Sequence, residues 1–235
     1  MSPFDEILAS VLARKQISLA ELEAQLPQPS TASELAAQSD AFYLSQISLR
    51  VFRAGMTHRV VDSKWPNFEA RFFGFEPADV AMISAEQIEA CTQDAQLIRH
   101  LGKLRTLPVN AQAMLDIVQD FGSFGEYLNH WPDERVMALW QDLVRRFTRL
   151  GGNSGAYFLR AVGKDTPVLT TDVVLALQLQ QVIDHKPSSK KALASIQEAF
   201  NLWQQQSQRP LCQISRILAL STGENPSWSE SKGRY

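Results

Sequence analysis

The stretch "LGGNSGAYFLRAVGKDTPVLTTDV", residues 150–173, decides how this chain is read. Gly151, Gly152, Asn153, Ser154 and Gly155 form a turn that exposes backbone between two apolar helical runs. Asp172 follows Thr170 and Thr171 at the head of the next run, VVLALQLQQVI. A helix N-terminus offers unpaired N–H groups and a partial positive charge, so a glycine turn leading into a helix suits an anion that a Cβ would hold away. The same turn also reads as an ordinary connection between helices. Asp172 likewise reads as a first-turn residue that favours the helix dipole behind threonine N-caps.

Outward from this stretch, apolar residues recur at helical spacing. Phe4, Ile7, Leu8, Val11 and Leu12 make a first stripe. Further runs span residues 44–54, 68–73, 88–104, 111–121 and 135–147, then 156–162, 173–183, 191–206 and 211–220. No run alternates with period two between hairpin turns, so the expected fold class is all-α. Ser18 with Glu21, and Ser84 with Gln87, carry the capping-box signature of a helix start. Pro66, Pro77, Pro132, Pro167, Pro187 and Pro210 are expected at helix starts or in connections. One domain is expected over residues 1–220, with acidic helices in about residues 1–40, followed by a frayed polar tail over residues 221–235.

The 235 residues are 45% hydrophobic and 20% charged, the balance of a chain that buries a core. No stretch approaches the roughly 18 apolar residues of a membrane helix, and the N-terminus is acidic where a secretory leader is basic, so a cytoplasmic protein without membrane association is expected. Cys91 and Cys212 form no CxxC pair, and His58, His100, His130 and His185 never fall at i, i+4, so neither metal nor cofactor is expected. Charge is uneven along the chain: residues 1–40 carry a net −4 and residues 144–191 a net +5. The basic surplus brackets the glycine turn, and suits either a solvated helix face or an anionic ligand.

A helix, a glycine hairpin, a second helix, a loop and an aspartate opening a further helix resemble the helix-hairpin-helix DNA glycosylase superfamily. The segments "AGMTHRVVDSKWPNFEARFFGFEP" (residues 54–77), "LIRHLGKLRTLPVNA" (97–111) and "LGGNSGAYFLRAVGKD" (150–165) are similar, within it, to a divergent DNA-3-methyladenine glycosylase I. The resemblance implies two closely packed helical subdomains around a cleft. It implies a monomer that binds double-stranded DNA, flips a damaged base out of the stack and hydrolyses its N-glycosidic bond in base excision repair. An alkylated purine is cationic and already leaves well, so such an enzyme stacks the ring, stabilises an oxocarbenium-like sugar and positions water.

Carried over by position, Asp172 is the carboxylate near the sugar, an electrostatic stabiliser or general base. Gly151, Gly152, Asn153 and Ser154 hold a DNA phosphate, with Arg149 and Lys164 as basic neighbours. Gly55 and Met56 plug the gap left by the flipped base, methionine being apolar and adaptable. Tyr157, one turn past the hairpin, either packs internally or touches the backbone of the DNA. Bifunctional members of the superfamily carry a lysine where this chain has Ala156, so no Schiff base forms there and a monofunctional hydrolase is implied. The base pocket departs from the family pattern: Arg50 stands where a base-reading glutamate is typical, and His58 where an aromatic is expected. The family's terminal zinc ligands are absent. Trp65, Phe68, Phe72, Phe73 and Phe75 read as a core stripe, with Trp65 the one assigned to the base pocket. Arg99, His100 and Lys103 read as a solvated face or as phosphate contacts. A non-catalytic protein that binds damaged or distorted DNA is the alternative, and a helical interaction protein without DNA affinity a third.

Overall fold

Hydroxyls that accept the first free N–H groups decide where many of the helices begin. Both expected capping boxes form: Ser18 accepts from the N–H of Glu21 and Ser84 from that of Gln87, while each partner side chain returns a bond to the serine backbone. The computed structural model describes residues 1–222, all helix, turn and irregular chain with no strand among them. The described residues fall into two compact units. One unit contains Met1–Pro29, Pro132–Met137 and the chain from Leu159, and the other contains Ser30–Trp131 and Ala138–Phe158. The acidic N-terminal segment is thus divided at residue 30.

The first unit holds α1 (Phe4–Lys15) and α2 (Leu19–Glu23). The second holds α3 (Ala32–Ala36), α4 (Asp40–Arg53), α5 (His58–Arg71), α6 (Pro77–Ala81), α7 (Ala85–Ala90), α8 (Leu101–Leu104), α9 (Thr106–Phe121) and α10 (Phe124–Asn129). The chain continues through α11 (Val136–Arg146) and α12 (Ser154–Ala161), and the first unit is completed by α13 (Thr171–Leu179), α14 (Lys190–Ser207) and α15 (Leu211–Thr222). The expected tail begins inside α15 at residues 221–222, and its remainder lies outside the described residues.

In the first unit, Phe4, Ile7 and Val11 are buried on one face of α1, each contributing about 1.5–3 kcal/mol of transfer free energy. The start of the chain is tied down by the Trp203 indole, which donates to the Ser2 carbonyl, and by Gln180 and Gln206, whose side-chain oxygens accept from Ser2 and Phe4. Arg14 donates to the carbonyls of Ser221 and Thr222, a cation on the negative end of α15.

In the second unit, Tyr43, Leu44, Ile47, Val51 and Phe52 of α4 are buried, and α9 answers with Leu107, Ala111, Met114 and Ile117. Phe52, Trp65, Phe68, Phe72 and Phe75 form an aromatic core in which Trp65 stacks on Phe68 at 5.0 Å and on Phe75 at 5.3 Å between ring centres. Phe73 is a correction to the stripe: it lies at φ +54° in the turn after α5 and is 56% exposed. Pro66 is another, standing inside α5 and not at its start.

The run expected over residues 88–104 is broken. The Asp94 carboxylate accepts from the N–H of Gln96 at 2.8 Å, a local bond that competes with the helix ladder. Carbonyls freed in this bend are satisfied from elsewhere, Lys64 donating to Ala95 and Leu97 at 2.7 and 2.9 Å. The chain resumes helix at α8 only when His100 caps it, its Nδ1 accepting from the N–H of Lys103. No helix of the described residues is long and apolar enough to cross a membrane.

Candidate nucleic-acid interface

The glycine hairpin is held from behind by a buried asparagine. Asn110 of α9 is 0% exposed; its Oδ1 accepts from the N–H of Thr148 at 2.8 Å and its Nδ2 donates to the Thr148 carbonyl at 3.3 Å. The chain then reverses through two left-handed residues, Arg149 at φ +68° and Gly152 at φ +59°. Ser154 N–H donates to the Gly151 carbonyl and Gly155 N–H to the Leu150 carbonyl, which closes the turn onto the start of α12. Gly151 and Gly152 are both exposed, and a Cβ on either would meet nothing within 4 Å. Gly152 is therefore required for its φ and not for crowding, and the backbone over both glycines is open to approach.

Arg149 is exposed, yet its guanidinium crosses α8 where that helix has no side chain. A Cβ at Gly102 would sit 3.1 Å from Nη2 of Arg149 and 3.4 Å from Cε1 of His100. The next residue, Lys103, is 4% exposed, and its ammonium donates to the carbonyls of Phe52 at 2.9 Å and Ala54 at 2.6 Å. These are carbonyls at the C-terminal end of α4, where a helix presents unpaired acceptors and partial negative charge. Lys103 is accordingly a helix-end cap, which corrects both its solvated reading and its phosphate reading; Arg99 and His100 are exposed. Burial lowers the Lys103 ammonium from its ordinary value, and nearby Arg149 adds to this. Beyond the cap, Gly55 at φ +71° and a bond from Met56 N–H to the Arg53 carbonyl turn the chain into α5. Residues 97–111 thus hold the 54–56 loop through Lys103 and the hairpin through Asn110, and Gly102 leaves room for the Arg149 guanidinium.

Arg50, assigned to the base pocket, is brought together with Tyr157, which was expected to pack internally or touch the DNA backbone. The Arg50 guanidinium carbon lies 4.6 Å from the centre of the Tyr157 ring, so Tyr157 packs internally. Arg50 is half-buried, and its Nε is buried without a hydrogen-bond partner. Burial lowers its pKa from the ordinary arginine value; Tyr157 opposes that shift and Arg53 reinforces it. Trp65 is 7% exposed and its indole N–H donates to the Ser45 hydroxyl at 3.0 Å, so it is a core residue and not a stacking platform. His58 is exposed on the first turn of α5.

Asp172 and Lys164 belong to the first unit. Asp172 is half-buried in the first turn of α13, but the N-cap is Thr170, whose hydroxyl accepts from the N–H of Val173 at 3.3 Å. Its carboxylate is thus not the cap. Burial, Arg14 and Arg216 lower the Lys15 ammonium, and Asp172 opposes them. Lys164 corrects the sequence reading: it is 8% exposed and its ammonium pairs with Asp133 at 3.4 Å, so it is withdrawn from any DNA phosphate. Burial pushes the Asp133 carboxyl up, Asp165 adds to this, and Lys164 counteracts it. Asp165 is buried too, accepting from the N–H groups of Leu211 at 2.7 Å and Cys212 at 2.8 Å and so capping α15. A cavity of about 410 Å³ beside these residues is lined by Asp133, Glu134, Asp165 and Arg209 among others, and includes no residue assigned to DNA. The basic surplus is partly spent internally as well: Arg145 and Arg146 pair with Asp142, and Arg160 donates to the Thr166 carbonyl. No cluster of metal-ligating side chains occurs among the described residues.

Residues 35–148, just under half of the chain, match the methyladenine glycosylase family. The chain is 36% identical over 90 residues to DNA-3-methyladenine glycosylase 1 of Escherichia coli (strain K12), an alignment covering 37% of this chain and 48% of that protein. The chain therefore spans about half the length of the curated relative it matches. The solved 3-methyladenine DNA glycosylase I of Staphylococcus aureus is 25% identical with a TM-score of 0.50, covering 62% of this chain and 84% of the other. The 8-oxoguanine DNA glycosylase of Methanocaldococcus jannaschii, at 13% identity, shares the fold along 91% of this chain and 92% of its own, with a TM-score of 0.55. The fold is the all-α helix-hairpin-helix glycosylase fold, and in sequence the chain resembles a divergent 3-methyladenine glycosylase.

Proposed function

We propose that this chain is a monofunctional DNA glycosylase that hydrolyses the N-glycosidic bond of alkylated purines, of the 3-methyladenine type, in base excision repair. The observation that carries the reading is the single frame made by residues 97–111: within one unit Lys103 holds the loop at residues 54–56, Asn110 holds the glycine hairpin, and Gly102 leaves room for the Arg149 side chain. That is the equipment for gripping a duplex at its backbone while an apolar side chain fills the space of an extruded base. In this reading Gly151, Gly152, Asn153 and Ser154 present backbone to a phosphate beside Arg149, Gly55 and Met56 form the wedge, and Arg50 and His58 face the base. Asp172 stabilises the positive charge that develops on the sugar as the C1′–N bond breaks, or takes a proton from the water that adds to C1′. Ala156 is buried and carries no amine to form a Schiff base, so water takes the place of the base at C1′, the base leaves, and the abasic strand stays uncut. The protein acts as a monomer on double-stranded DNA.

The test is chromatography of bases released from alkylated duplex DNA by folded protein in excess, with a parallel gel for strand cleavage. Base release without cleavage, abolished in Asp172→Asn while duplex binding and melting temperature hold, is the expected result. Failure to release any base would overturn the proposal. Binding that persists without release would favour the second reading, a non-catalytic sensor of damaged DNA, which the unneutralised Arg50 in the base site supports.

A further inference from the structure

We infer that Arg50 sets the specificity of the site toward purines with an acceptor edge, alkylated guanines, over alkylated adenines. The inference rests on the proposed reading that the C-terminal turn of α4 faces the flipped base. Three observations carry it. The guanidinium carbon lies 4.6 Å from the centre of the Tyr157 ring, a cation–π contact that occupies none of the group's N–H donors. No hydrogen bond or ion pair to another described residue engages Arg50, and its Nε is fully buried. Its cationic neighbour Arg53 is neutralised by Asp62 at 2.8 Å, so the carboxylate in this region is already engaged.

A half-buried guanidinium held against an aromatic ring, with unused donors, calls for an acceptor, because donors left unmatched when a ligand excludes water are costly. A purine can supply it. Guanine-type bases present O6 and N7, the acceptor pair that arginine engages bidentately, whereas adenine-type bases present an amino donor at the corresponding edge. Alkylation at N3 gives both bases the same positive charge, so repulsion from Arg50 weighs on both alike and the hydrogen-bonding edge decides between them. One well-placed bidentate pair corresponds to about 10- to 100-fold discrimination.

Duplex DNA carrying both 3-methylguanine and 3-methyladenine tests this, with single-turnover release of each base measured for wild type, Arg50→Lys and Arg50→Glu. Wild type is expected to release 3-methylguanine about tenfold faster or more. Arg50→Lys keeps the charge but loses the planar fork and brings the ratio toward one, and Arg50→Glu reverses it. Calorimetric titration with the two free bases provides a readout independent of hydrolysis. Arg50-dependent preference for free 3-methylguanine in a protein that releases nothing would sink the hydrolase proposal and keep the specificity. Equal handling of the two bases by wild type, or a ratio unmoved in Arg50→Lys, would overturn the inference. So would a loss of affinity for undamaged duplex with a salt slope reduced by about one and the ratio unchanged, since Arg50 would then be a phosphate ligand.

Discussion

Replacing Lys103 by methionine separates a structural cap from a DNA contact. The substitution keeps an unbranched chain of similar length but deletes both bonds from the ammonium to the carbonyls of Phe52 and Ala54. A hydrogen bond to a charged group contributes about 1.5–3 kcal/mol, and the full value is lost where the partner stays buried. Phe52 is 0% exposed, so its carbonyl is left without a partner, whereas Ala54 is half-buried and water can replace the lost donor. Relief from burying the ammonium offsets part of the loss, and the net destabilisation is about 2 kcal/mol. For a chain of this length that lowers Tm by about 4–8 °C.

The assay pairs thermal melting with a salt titration of duplex binding. A cap predicts a lower Tm and weaker binding whose slope against log salt is unchanged, because no phosphate contact has gone. Arg149→Met is the contrast, with a nearly unchanged Tm and a slope smaller by about 0.9. A Lys103→Met protein that melts within about 0.5 kcal/mol of wild type, the ordinary range of a surface substitution, would refute the reasoning, as would a slope change like that of Arg149→Met.

Gly152→Ala forces an L side chain into φ +59° and is expected to cost about 1 kcal/mol or more, whereas Gly151→Ala, with open space around its Cβ and no positive φ, leaves unfolding unchanged but weakens duplex binding. Urea unfolding and fluorescence anisotropy read the two effects, and equal stability losses at both positions would contradict the hairpin geometry. Burial pushes the Asp142 carboxyl up, but bonds from Arg146 and Tyr127 and the charge of Arg145 outweigh this and hold it below its ordinary value. The native state therefore binds fewer protons than the unfolded chain at acid pH, and the stabilisation, fully present above about pH 4, is lost as pH falls. Asp142→Asn should melt well below wild type at neutral pH and approach it under acid conditions; a gap independent of pH would argue against this network.

Much of the fold could be read from the sequence because its signals are local. A capping box needs residues three apart, and Ser18–Glu21 and Ser84–Gln87 form as written. Helical periodicity needs one or two turns, and the stripe Leu107, Ala111, Met114 and Ile117 is buried as its spacing implies. The same logic explains the failure at residues 88–104. Past the end of α7, Asp94 bends the chain by accepting a bond from a residue two positions on, and Lys64, some thirty residues earlier, satisfies the carbonyls of the bend. No local pattern names that donor.

The candidate site depends on the second kind of signal. Asn110 was missed in the sequence: it lies in register with the buried stripe of α9, and a polar side chain on an apolar face must find partners, a signal that could have flagged it although nothing local names Thr148 as its partner. Lys103 gave less away: in RHLGKLR it looks like one of several surface bases, and only the unpaired carbonyls at the end of α4 assign it elsewhere. Counting charge along the chain misleads for the same reason. The surplus around the hairpin is real, yet Lys164 answers Asp133, and Arg145 and Arg146 answer Asp142, each a pairing within its own unit. In the proposed reading, the exposed Arg149 beside the glycines and the Arg50 guanidinium over the Tyr157 ring are among the charges left over after such pairing. Neither has a carboxylate partner in the ion pairs found, so an anionic backbone at one and an acceptor-bearing base at the other would complete what the fold leaves open.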